Sequence, residues 1–300
     1  MGDKLKNFLV RTASGAVLLM VVLGAAFTGP VGYGALLLLI TGVGVWEFYA
    51  LARAKGSEPQ RLLGIIGSLA LTMAGIGIIC GQYLIIEDDL TKFNWGLLLM
   101  VFSLLVTALA IMCIFVAEVF RNRPTPIHNI ATSIMGIIYV ALPMAVMAII
   151  PLALHNPSIK EQEWQPLYFL FYLFLVWGND VFAYLFGITL GKHKLCERLS
   201  PKKSWEGFVG GILGSVAVGA VAATVLGENY AFWIGLAIVV ALSSVVGDLI
   251  ESMFKRDAGV KDSGAIMPGH GGILDRFDAL IVSAPFALVY IGIMGMLNVI

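Results

Sequence analysis

The chain has 300 residues, 59% of them hydrophobic and only 13% charged, with a formal net charge of zero and a mean hydropathy of +0.92. A soluble domain carries roughly 25% charged residues, so these side chains cannot cover a globular surface and a water-soluble fold is excluded. The expected class is an all-α, polytopic integral membrane protein, with the lipid bilayer as a partner and no nucleic acid. Cys80, Cys113 and Cys196 show no paired or metal-type spacing, so neither a disulfide framework nor a zinc site is expected.

A membrane span needs roughly 20 apolar residues. Nine stretches meet that need: 10–28, 31–51, 62–86, 95–117, 130–151, 167–188, 207–227, 231–252 and 279–299. Lys4, Lys6 and Arg11 precede the first run as in a secretory signal, but a second span follows almost at once. The first run is therefore expected to stay as a membrane helix. Gly29-Pro30 makes a tight turn between the first two. Glu47 and Glu118 stand near helix ends, where snorkelling or pairing with a nearby arginine accounts for them. Gly42 and Gly44 are helix-packing residues. The segment Gly187-Ile188-Thr189-Leu190-Gly191-Lys192-His193 has the wrong spacing for a phosphate-binding P-loop. Gly207, Gly210, Gly211 and Gly214 predict close contact between helices.

With the N-terminus in the cytoplasm, every lysine and arginine except Lys92 and Lys160 falls on an inside segment. The outside connectors hold Glu87, Asp88, Asp89, Glu161, Glu163 and Glu228 instead. The positive-inside rule then predicts a cytoplasmic N-terminus, nine spans and an outside C-terminus. One span more or fewer would scramble that alternation.

Candidate chemistry begins in the sixth span. Asp180 lies about eight residues, roughly 12 Å, from the cytoplasmic end of an apolar helix, where a carboxylate is costly and functional by default. A polar pairing with Lys202 or Lys203 is the structural alternative. Asp248 and Glu251 share a face near the end of the eighth span. Asp275 and Asp278 open the ninth. Three helices thus deliver acids to one depth, and a bound divalent cation would offset their repulsion. Between them runs the longest polar stretch of the chain, 252–278, in which lysines, arginines, aspartates and glycines alternate. That mixture suits a phosphate-and-metal site; a charged loop that sets topology is the equal alternative on composition alone.

The order of residues in this stretch is more specific than its composition. Ser252, Phe254, Lys255-Arg256, Lys261-Asp262, Gly264, Pro268, His270-Gly271-Gly272, Ile273, Asp275-Arg276, Phe277 and Asp278 resemble, without departure, the signature of the phosphatidate cytidylyltransferases. Upstream, Ser200-Pro201-Lys202-Lys203-Ser204-Trp205-Glu206-Gly207 resembles a second loop of that family. The resemblance covers the C-terminal third in detail and the rest only by helix count and hydropathy.

It implies transfer of CMP from CTP to phosphatidic acid, giving CDP-diacylglycerol and pyrophosphate. The implied cofactor is Mg2+, with a second cation left open. Asp248 and Asp275 are the leading metal ligands, with Asp180 and Asp278 behind them. Lys255, Arg256, Lys261 and Arg276 join Asp248 and Asp275 as catalytic candidates. Lys202, Lys203, Ser204, Ser252, Asp262, Gly271 and Gly272 are substrate-binding candidates, as is His270, in a structural role. Residues 1–165 form an N-terminal group of spans one to five. Residues 166–300 form the catalytic region, with cytoplasmic loops 189–206 and 253–278. The expected location is the cell inner membrane with the site facing the cytoplasm, and a homodimer is left open. An ion-coupled secondary transporter using intramembrane carboxylates is the alternative; it calls for acids at the midplane and an internal repeat.

Overall fold

In hydrocarbon every backbone N–H and C=O must find a partner inside the protein, and an apolar run meets that demand by coiling into a helix. The computed structural model describes residues 3–83, 95–155, 164–269 and 271–299, of which 3–9 and 83 by backbone alone. Among the described residues, nine helices are long and apolar enough to cross a membrane. They are α1 (Asp3–Phe27), α2 (Gly29–Ala54), α3 (Arg61–Tyr83), α4 (Trp95–Arg121), α5 (Pro126–Leu154), α6 (Pro166–Leu190), α7 (Trp205–Leu226), α8 (Tyr230–Asp257) and α9 (Leu274–Met296). Each matches one predicted run. The strands β1 (Lys194–Cys196) and β2 (Ser200–Ser204) form a small antiparallel hairpin before α7.

The helix ends outreach the apolar runs where charges sit. Lys255 and Arg256 lie in the last turn of α8, and Asp275 in the first turn of α9. Such ends place cations against the carbonyl pole and an anion against the amide pole. Within α5, residues Ile137–Ala141 form a π-turn. Pro143 stands two residues beyond it and has no N–H to continue the α ladder. The outside connectors expected at 87–92 and 160–163, and His270, lie outside the described residues.

The chain divides into two compact units. The first gathers Met1–Ile149, Glu161–Trp164 and Asp257–Phe277; the second gathers Ile150–Lys160, Gln165–Arg256 and Asp278–Ile300. The signature stretch is therefore shared, with its central loop in the first unit.

In the first unit, α3 packs along α4 through small residues. A Cβ on Gly96 would meet the Cα of Gly81 and the carbonyl of Gly77. In the second unit, α6 packs along α7 by the same means. A Cβ on Gly211 would lie 2.5 Å from Asn179 Oδ1, and those on Gly210 and Gly214 would strike Phe186 and Phe182. The glycines predicted for close contact serve that purpose. Phe232, Trp233, Leu236, Ala237, Val240 and Ala241 of α8 are all buried within this unit.

Candidate active site

The second unit holds a cluster of carboxylates. Asp248 and Glu251 stand one turn apart on α8, and Asp278 stands in α9. One oxygen from each lies within 4.8 Å of the others. Glu251 and Asp278 are buried, at 1% and 8% exposure, and Asp248 is half-buried. The helices come this close because residue 247 is glycine. A Cβ there would lie 2.6 Å from the Asp278 carbonyl and 3.1 Å from Ala279 Cα. Asp180 of α6 is near enough to act electrostatically on Asp278, as are Asp248 and Lys255.

Two lysines answer these acids. Lys255 pairs with Glu251 four residues earlier, and Lys203 pairs with Asp248. Lys203 reaches that position from β2, whose geometry is held at both ends. Lys194 pairs with Ser204 across the hairpin. The Ser204 hydroxyl accepts the Gly207 N–H at 3.1 Å and caps α7. Glu206 accepts the N–H groups of Lys192 and His193, and its Oε1 lies 2.6 Å from His193 Nδ1. Ser252 donates to Asp248 at 3.3 Å. Buried acids this close repel one another, and a cation relieves the repulsion. An all-carboxylate donor set suits a hard divalent ion such as Mg2+ and not a soft metal.

The first unit holds the loop that leads into α9. Met267 and Gly271 exchange two backbone hydrogen bonds, at 2.9 and 3.1 Å. Gly271 has φ +83°, and a Cβ on it would lie 2.6 Å from Asp275 Oδ2, so only glycine fits. Asp275 Oδ2 accepts three donors: Ser263 N at 2.9 Å, Ser263 Oγ at 2.9 Å and Gly272 N at 2.8 Å. Glu47, two turns before the end of α2, faces the same loop. It accepts the N–H groups of Ile273 and Leu274 at 3.1 and 2.8 Å. Pro268 O lies 3.0 Å from the Ser14 hydroxyl of α1.

The predicted residues thus fall into three sets. Asp248, Asp278, Asp180, Lys203, Lys255 and Ser252 come together in the second unit. Asp275, Gly271 and Gly272 are bound into the loop architecture of the first unit, and Ser204 caps a helix. Lys202, Arg256, Lys261, Asp262 and Arg276 are exposed.

Sequence reasoning missed two acids. Glu251 was visible as a neighbour of Asp248 on one helix face but not as a member of a cluster. Glu47, expected to snorkel or meet an arginine, is buried at 2% exposure among loop donors. Glu118 does meet its arginine, Arg121, at 2.8 Å.

The profile of the cytidylyltransferase family matches residues 9–294. The chain belongs to that family. It is 31% identical over 279 residues to the phosphatidate cytidylyltransferase of Synechocystis, covering 86% of this chain and 88% of that one. It is 33% identical over 299 residues to the phosphatidate cytidylyltransferase of Haemophilus influenzae, covering 92% and 96%. A phosphatidate cytidylyltransferase of Staphylococcus saprophyticus is 51% identical over 120 residues, covering 39% of this chain and 46% of its own. Membership of a cytidylyltransferase family makes the chain a nucleotidyltransferase, and the transporter alternative finds no support in these relatives.

Proposed function

We propose that this protein transfers CMP from CTP to phosphatidic acid, giving CDP-diacylglycerol and pyrophosphate. The observation that carries the proposal is the carboxylate cluster Asp248, Glu251 and Asp278, flanked by Lys203 and Lys255, in a chain of this family. The attacking group is a phosphate monoester with a second pKa of about 6, so it is largely ionised at pH 7 and needs no general base. Its oxygen forms a bond to the α-phosphorus of CTP as the bond from that phosphorus to the bridging oxygen breaks. The electron pair leaves with pyrophosphate. The difficulty is the approach of two polyanions, so the work of the site is positioning and charge compensation.

Asp248, Glu251 and Asp278 would hold Mg2+, with Asp180 of the same unit as a further carboxylate for that ion; Asp275, in the first unit, is a candidate ligand for a second cation. Bound there, the ion would supply positive charge against phosphate oxygens. Lys203 and Lys255 offset part of the cluster's charge and can turn to phosphate. Lys202, Arg256, Lys261 and Arg276 are exposed cations of a kind suited to a triphosphate and a leaving pyrophosphate. In the second unit Ser252 would orient Asp248 and Ser204 would hold the backbone before α7; in the first unit Asp262, Gly271 and Gly272 would shape the loop, and His270 would play a structural part. The N-terminus and the site would face the cytoplasm, across the inner membrane, where CTP is found. The acyl chains would stay in the bilayer.

The test is pyrophosphate release from the purified full-length protein. Release is expected only when CTP, phosphatidic acid and Mg2+ are all present, and chelation should stop it reversibly. Release without phosphatidic acid, or transfer unaffected by chelation, would sink the proposal.

A further inference from the structure

We propose that Glu47 is the positioning residue of the loop before α9: its carboxylate holds the loop and the start of α9 in place. A carboxylate inside an apolar helix is costly unless donors surround it. Among the described residues the donors to Glu47 come from the loop and the start of α9. Oε1 takes the Ile273 N–H, Oε2 takes the Leu274 N–H, and the Ser263 hydroxyl lies 3.3 Å from Oε2. A helix leaves its first N–H groups without internal acceptors, and a negative charge there is doubly favourable. In α9 that acceptor is supplied from α2, more than 200 residues away in sequence.

The loop is shaped to this side chain. A Cβ on Gly264 would collide with Glu47 Oε1, and one on Gly272 would reach both Ser263 Oγ and Glu47 Oε2. Leu274 Cδ1 also lies 4.0 Å from where a Cβ on Gly44 of α2 would stand, so the approach continues one turn back. Ser263 links the two acids. Its Oγ is 2.9 Å from Asp275 Oδ2, while its N–H binds the same oxygen. Glu47 therefore acts through Ser263 and the α9 amides on the orientation of Asp275. These contacts all lie within the protein, so the role is a positioning one and not a catalytic one. Only a group with two acceptor oxygens meets both amides. Glutamine would turn an NH2 toward one of them.

The kinetic consequence rests on the proposed cytidylyl transfer; the structural one, a held loop, does not. The test uses full-length wild type, Glu47→Gln and the milder Ser263→Ala. Amide hydrogen exchange is followed by mass spectrometry, alongside steady-state pyrophosphate release. In Glu47→Gln, exchange across 259–274 should quicken on the order of tenfold or more, with α6 and α8 unchanged. Ser263→Ala should move the same peptides less. In the same order, kcat should fall about tenfold and a few-fold, while KM for phosphatidic acid stays within about twofold. Loop exchange like wild type in both variants would overturn the proposal. So would quickened exchange throughout Glu47→Gln combined with a wild-type loop in Ser263→Ala. A responsive loop in a protein whose wild type releases no pyrophosphate would overturn the proposed reaction and leave the role of Glu47 standing.

Discussion

Two groups of buried acid in this protein are built on opposite principles. Glu118 of α4 is ringed by donors: Asn129 Nδ2 at 2.9 Å, Gln60 Nε2 at 2.8 Å and Arg121 at 2.8 Å. The same knot ties Gln60 N to Ser133 Oγ and Glu58 N to Asn129 Oδ1, so the α2–α3 connector is fastened to α4 and α5. One charge meets several complementary groups, and the result is mechanical. In the cluster of Asp248, Glu251 and Asp278, acids face acids, and only two lysines, Lys203 and Lys255, are seen to pair with them among the described residues. An arrangement of that kind is a poor fastener and a good receptor for a cation. Burial of a carboxylate is thus not by itself a sign of chemistry; the sign is the company it keeps.

The largest effect that could break this contrast is loss of one cluster acid. Asp278→Asn should lower kcat for pyrophosphate release on the order of a thousandfold. Thermal stability without metal should hold or rise, because a repulsion is removed. A fall in melting temperature with kcat preserved would make the cluster a second fastener. Next comes Glu118→Ala. It should cost about 3 kcal/mol of stability by leaving its donors unmatched, while the folded fraction keeps its kcat. An activity loss without a stability loss, measured by thermal unfolding and titrated activity, would reverse the assignment.

Gly247→Ala probes both principles together. Overpacking should cost about 1–3 kcal/mol, and kcat should fall as well because the added methyl group presses on the Asp278 backbone. A stability loss with unchanged kcat would mean that cluster spacing is not critical. The smallest effect is expected at the exposed pair Lys55–Asp257, 2.9 Å apart with side chains 56% and 60% exposed. Lys55→Ala should change stability by less than about 0.5 kcal/mol and leave activity alone. A larger change would show that surface charge contributes more to this fold than either buried group implies.

Much of the candidate site was legible before any coordinates. Asp248 and Asp278 stood out because an acid in an apolar run has few inexpensive explanations. The signature stretch stood out because its order of residues is specific. Lys203 was legible as a cation but its pairing with Asp248 was not, since that depends on the hairpin that carries residue 203 to α8. Glu251 lay in plain view on the face of Asp248. Its role follows only when α9 brings Asp278 alongside.

What the sequence by itself determined is local: the nine long apolar helices found among the described residues, their limits within a few residues, and the small residues along their contacts. Each follows from a run of side chains and from the rule that backbone groups in lipid must be satisfied nearby. What only the tertiary structure decided is which distant groups meet. Glu47 looked like a stray charge at a helix end because nothing within its own turns explains it. Its partners are backbone amides at residues 273 and 274, and an amide carries no mark in the sequence of whether it lacks an acceptor. Asp275 is a candidate metal ligand by the resemblance of its stretch, but its surroundings are not written there. Its three donors to one oxygen come from a fold in the loop that depends on Gly271 adopting a positive φ. Hydropathy records how deep a residue lies, and helical periodicity records which way it faces. Neither records what waits on the other side.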